Sequence, residues 1–404
     1  MRALTSSLVL GSVVLAVAGC GGRQTAGTLD PDVLAKAELQ YYWTVPVDLE
    51  RGESISRLLL LKENVYCLTN RHRLIAVDGA RGLFKWARTV ADADQTVFRP
   101  ALADNVTLPE QVGGIKQVLS PQSATDIRTF DAILVNTLSY VLVLDRQSGR
   151  QVRRIEFDFA ANTGGASDGL SFYVGSTDGR YYAIRLAEAI VAWQLAAEDL
   201  IAAPVEYHNG NVYVADTSGT LTCARVGQPG KEIWSVPMSG AVTAEFHVDG
   251  RGCFVPCDDQ RLYAFEPMSG ARLWELPFVA QGPMRDPVQV AENTIFQYAE
   301  GDKFYAVALT SGKERWSRKD GRTVLAAFDG EVFLLNASDT LLILDEVLGT
   351  VKTSLSLTGW QLFAANTTAP AIYVATRDGR LACIRKVAAG QLTPEAMKPV
   401  RSGG

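Results

Sequence analysis

Three histidines stand in a chain of 404 residues, too few for a catalytic or metal centre built on several imidazoles. Basic residues are not in excess. The 39 Lys and Arg face 44 Asp and Glu, for a formal charge of −5, so no positive field is present to hold a nucleic-acid backbone. The six cysteines include no adjacent pair and no His/Cys cluster at ligand spacing, so the sequence indicates no metal site. Beyond the first 20 residues no run approaches 18 consecutive apolar residues, so no later segment spans a bilayer as a helix. Hydrophobic residues at 47% and charged residues at 21% exclude a disordered, collagenous or coiled-coil chain.

What is plentiful is glycine, 35 residues, together with 13 Tyr, 15 Phe and 7 Trp, a balance that leans toward many short strands joined by tight turns. The N-terminus reads differently. Arg2 gives a positive start, Leu8 to Val17 is an apolar stretch too short to span a bilayer, and Val17-Ala18-Gly19-Cys20 follows. This pattern resembles a bacterial lipoprotein signal, which implies removal of residues 1–19 and lipidation of Cys20. Gly21 rather than Asp after that cysteine implies export to the outer membrane, with the chain facing the periplasm. Residues 20–38 are expected to be a lipidated Cys and a flexible tether.

The body repeats. VYVADTSGTLTCA (212–224) and IYVATRDGRLACI (372–384) each read as a β-hairpin with alternating apolar residues around a Gly turn. Equivalent strands are anchored at Tyr66, Leu134, Tyr173, Tyr213, Phe254, Phe296, Phe333 and Tyr373, with spacings of 68, 39, 40, 41, 42, 37 and 40. The long first spacing hides an insertion at about 104–130 in the second repeat. A further strand follows each hairpin, marked by Gly and then Trp four residues on: Gly82/Trp86, Gly230/Trp234, Gly270/Trp274 and Gly312/Trp316. Ala189/Trp193 keeps the offset without the Gly; Arg153 and Thr353 replace the Trp in repeats 2 and 7. A period near 40 with about four strands per unit predicts an all-β, eight-bladed β-propeller of four-stranded blades. The eighth copy lacks its last strand. Residues 39–47, with Trp43 and no hairpin before them, are expected to supply it and close the ring, so that the propeller spans 39–385 and 386–404 is a polar tail.

The motif apolar-Tyr-Ala-apolar-Asp-x-x-x-Gly-x-x-x-Trp, carried best by 74–86 (LIAVDGARGLFKW) and 262–274 (LYAFEPMSGARLW), resembles the PQQ-like propeller repeat. Ile75 departs from it in the first copy and Glu266 in the second. No repeat carries the Gly-His and Trp-Asp marks of a WD40 blade. An eight-bladed ring of this repeat on a lipoprotein is similar to the scaffold lipoproteins of the outer-membrane β-barrel assembly machinery. That resemblance implies a non-catalytic scaffold whose partners are the membrane, through Cys20, and envelope proteins such as the barrel-assembly complex, with no cofactor.

Two other functions fit a propeller. A PQQ-dependent dehydrogenase of the same repeat would carry a vicinal Cys-Cys ring, which this sequence lacks. A ligand- or glycan-binding propeller would need an exposed aromatic site, for which Trp360 and loop Tyr residues are candidates. The regular Trp43, Trp86, Trp193, Trp234, Trp274 and Trp316 are expected to fill wedges between blades instead. Cys67, Cys223, Cys253, Cys257 and Cys383 read as small buried hydrophobes, and 253 and 257 are too far apart on one strand to pair. The insertion is too apolar for a plain solvated loop, so its Leu108, Ile115, Val118 and Leu119 are candidates either for partner contact or for packing on the ring.

Overall fold

A computed structural model describes residues 29–109, 127–227, 230–390 and 392. Its strands form eight separate four-stranded antiparallel sheets. Seven follow the chain as simple meanders, the first being Ile55–Leu61, Asn64–Thr69, Arg73–Asp78 and Phe84–Thr89. The eighth combines Leu362–Phe363, Ile372–Ala375 and Arg380–Lys386 with Leu39–Pro46 from the other end of the chain. Leu39 lies opposite Lys386 and Pro46 opposite Arg380, so the N-terminal strand closes the ring as its sequence implies. The first strands of neighbouring blades contact one another and line the axis; the fourth strands form the rim.

Burial follows this order. The second and third strands are covered on both faces by adjacent blades, and strands such as Asn64–Thr69 and Tyr140–Asp145 are buried throughout. Rim strands such as Phe84–Thr89 and Gln151–Glu156 bury only part of their residues, which matches their mixed apolar and charged sequence.

A bulge recurs in the fourth strand, between Phe84 and Trp86 in blade 1 and between Tyr41 and Trp43 in blade 8. The extra residue turns the strand and aims the Trp at the next blade. The cross-strand neighbour of the Trp is small: Ala76 opposite Trp86, Ala183 opposite Trp193, Cys223 opposite Trp234, Ala306 opposite Trp316 and Cys383 opposite Trp43. Where the Trp is missing the neighbour is larger, with Val143 opposite Arg153 and Ile343 opposite Thr353. Cys223 and Cys383 therefore act as small apolar residues that leave room for an indole. All five described cysteines are buried and free.

The tether is shorter than the composition of 20–38 suggests. Pro31–Lys36 is a helix, capped by Asp30, whose side chain accepts from the Asp32 amide at 2.9 Å. Leu34 on that helix is buried in the core shared with Trp360, Leu335 and Ile384. One apolar residue at the right helical phase is enough to dock this segment on the ring.

The stem of the insertion is also ordered. Ala101–Pro109 pairs with Ile127–Asn136 as an extended hairpin of blade 2, bulged between Ala103 and Val106. Arg146, nearly fully buried, clamps its base. Its guanidinium meets Glu63 of blade 1 at 3.1 Å, Asp104 at 3.0 Å and Asp131 at 2.9 Å.

Candidate functional site

Around the rim, Trp side chains form joints between neighbouring blades. Trp43, Trp86, Trp234, Trp274 and Trp316 donate from Nε1 to the carbonyls of Gly79, Arg146, Pro267, Leu309 and Glu346 in the next blade, at 2.9–3.1 Å. Each of these indoles covers the glycine three residues beyond that carbonyl. A Cβ on Gly149 would lie 2.5 Å from the Trp86 ring, and one on Gly312 would lie 2.5 Å from Trp274. Trp193 covers Gly230 in the same way. The six rings also meet the anchoring aromatic of their own blade at 5.9–6.0 Å between centroids, as Tyr66 meets Trp86. Arg153 substitutes in blade 2 by donating to the carbonyls of Leu186, at 2.8 Å, and Ala187.

A second belt joins the blades near the axis. Arg57 donates to the Val97 carbonyl, Asn136 to Thr163, and Asn162 to Ile201. Gln289 copies a strand edge, donating to the Val324 carbonyl and accepting from its amide, both at 2.9 Å. These side chains tie neighbouring blades together around a central cavity.

That cavity, about 350 Å³, is the strongest candidate site. Its walls come from blades 1 to 6 and include Arg99, Ser167, Glu206, Tyr207, Glu245, Phe246 and His247. Arg99 pairs with Glu245 across the axis. His247 Nε2 lies 3.0 Å from Asp249 Oδ2, which Arg251 also holds. Burial pushes the Glu206 carboxyl up to about 7, against the opposing pull of Arg99 and His247. Arg99, Glu206, Glu245 and His247 lie on different blades, and no local sequence pattern joins them.

The candidates named from sequence are distributed as follows. Leu108 is 1% exposed and packs with Val106, Phe130 and Ala132 between blades, so this side chain serves packing. Ile115, Val118, Leu119 and Cys20 lie outside the described residues. Trp360 is 2% exposed in the core beneath the N-terminal helix, 6.3 Å from the Tyr41 ring, and does not line the channel. The surface ring of Phe159 stacks on both Phe157 and Tyr182. Among the described residues, no group of three or more His, Cys, Asp or Glu could hold a metal ion, and no helix is long and apolar enough to cross a membrane.

One surface feature has a signal that sequence reading passed over. In blade 5 the path from the Trp back to the hairpin is two residues longer than in blades 3 and 4, and the fourth strand itself is only Phe278–Val279. The amide four residues after Trp193 and Trp234 returns to the preceding hairpin turn, as Ala197 to Gly179 and Met238 to Gly219, whereas in blade 5 it is Ala280, six after Trp274, that reaches Gln260. The slack pushes Glu275, Leu276 and Pro277 outward. Leu276 is 73% exposed and Val279 58%, with Leu273 and Met268 exposed on the same blade.

Residues 222–400 match a family model described as "Outer membrane protein assembly factor BamB". No curated protein matches the chain. Among solved structures, BamB from Moraxella catarrhalis is similar at 11% identity, covering 86% of this chain and 97% of its own, with a TM-score of 0.61. The computationally designed Ika8 protein is similar at 14% identity, covering 84% of this chain and 98% of its own, also at 0.61. At these identities the likeness establishes the eight-bladed propeller fold and nothing finer.

Proposed function

We propose that this chain is a membrane-tethered, non-catalytic scaffold with a BamB-like role in outer-membrane protein assembly. The observation that carries the reading is the match of residues 222–400 to the assembly-factor family. The placement of the chain supports it. In an antiparallel meander the turns between strands one and two share a face with those between strands three and four. Leu39, opposite Lys386, begins a fourth strand and so enters on that face. The insertion hairpin, between strands one and two of blade 2, leaves from the same face. A lipid on Cys20 would therefore hold the stem of the insertion on the side of the ring that faces the membrane. The exposed apolar residues of blade 5 add a second surface suited to a protein partner. The five buried thiols offer no nucleophile; burial alone pushes Cys67 up to about 12.

The test is to extract membranes in mild detergent, recover a tagged copy with Cys20 intact, and identify the proteins that accompany it. Stoichiometric recovery of the large barrel-assembly subunit supports the proposal. In that case Leu276→Glu and removal of 110–126 are compared for loss of the partner. Recovery of a different complex, or of none, reduces the likeness to shared architecture.

A further inference from the structure

Glu206 lies half-buried in the axial cavity and forms no ion pair among the described residues, although Arg99 and His247 stand close enough to favour its ionised form. It makes no hydrogen bond or salt bridge to another described residue. The facing charges are accounted for on every strand around it. Arg99 before the first strand of blade 2 is committed to Glu245, and His247 of blade 5 turns to Asp249. Blade 3 presents only Gly164, Gly165, Ala166 and Ser167, and blade 6 presents Val288. With Arg99 and Glu245 cancelling, ionised Glu206 leaves the cavity net negative. The remaining wall includes apolar surface from the half-buried Ala101, Leu102 and Pro204.

We propose that the axial cavity binds an organic cation of primary-ammonium or guanidinium type, with Glu206 as its counter-ion. The head group takes the place that water gives an exposed carboxylate, and the attached methylenes lie along the apolar wall. A cavity of about 350 Å³ admits a head group with a short alkyl chain and excludes a folded segment. This inference does not rest on the scaffold reading. The cation is either a free amine or a Lys or Arg side chain that a partner inserts into the ring.

Proton linkage gives the site a distinct signature. Burial holds the empty carboxyl near 7, and a bound cation favours its ionised form. Binding therefore releases a proton near and below neutrality, and affinity rises about tenfold from pH 6 to pH 8, the growth in the ionised fraction across one unit either side of 7.

The experiment titrates the full chain with propylammonium and with propylguanidinium by calorimetry at pH 6 and pH 8, in buffers of differing ionisation enthalpy. Saturable binding by at least one probe, about tenfold tighter at pH 8, with proton release, and lost in Glu206→Gln, is the expected result. Thermal melts confirm that the near-isosteric variant folds. Saturable binding by neither probe, or binding to Glu206→Gln as tight as to the wild type, overturns the proposal. A partner retained on immobilised protein separates the sources. Release by propylammonium and loss in Glu206→Gln identify a partner's basic side chain; retention under both identifies a free amine.

Discussion

Arg153 faces Val143 across the third and fourth strands of blade 2, at the position where other blades pair Trp with Ala or Cys. Three residues change together there. The Trp becomes Arg, its small neighbour becomes Val, and the glycine that would lie under the indole becomes Ala189, at φ 57°. The guanidinium still reaches the Leu186 carbonyl, so the joint keeps its hydrogen bond while its volume moves to other atoms.

Exchanging these residues singly should therefore fail. Arg153→Trp alone brings an indole against the Val143 and Ala189 side chains, and overpacking of this kind costs about 1–3 kcal/mol. Adding Val143→Ala and Ala189→Gly rebuilds the joint of the other blades. Urea denaturation of the single and triple variants should show a loss followed by recovery; additive losses would mean that the three positions are not coupled.

The indoles themselves are packed as deeply as core side chains. Trp274 is 4% exposed and donates to the Leu309 carbonyl at 2.9 Å. Trp274→Ala should cost roughly 3–5 kcal/mol by denaturant midpoint. Gly149→Ala, which sets a methyl on the Trp86 ring at φ 68°, should also lower the midpoint, by about 2–4 kcal/mol from strain and clash together.

Ring closure depends on one strand. Deleting 39–47 removes the pairing with Arg380–Lys386, the Trp43 joint to Gly79 and Gly82, and the shared use of the Gly79 carbonyl by Tyr373. It also exposes an unpaired edge in blade 8. The melting temperature of the whole body should fall; an unchanged melt would show that blade 8 does not hold the ring.

Glu206 gives the stability a pH dependence of known sign. Its folded-state pKa, about 7, lies above the ordinary value of 4.5. Its contribution to stability is therefore fully present below 4.5 and is lost as the pH rises through 7. Glu206→Gln removes the titration. The variant's melting temperature should rise relative to the wild type between pH 5 and pH 8, and a constant difference across that range would show that the carboxyl is not desolvated.

Much of this architecture was legible along the chain. Alternating apolar strands, Gly turns and a period near 40 are local signals, and they determined the blade number, the strand count and the borrowed fourth strand of blade 8. The sequence also carried the Gly–Trp offset of four, but not its meaning. Gly82 and Trp86 belong to one blade, yet Gly82 lies under Trp43 and Trp86 covers Gly149. The carbonyls that accept from the Trp residues lie 30 to 60 residues downstream, and only the wedge between two packed blades brings them together. The axial cavity was still less legible. Arg99, Glu206, Glu245 and His247 meet because closure turns the first strands toward one axis, where desolvation sets the state of Glu206. No periodicity encodes that, since each residue acquires its chemistry from the blades opposite.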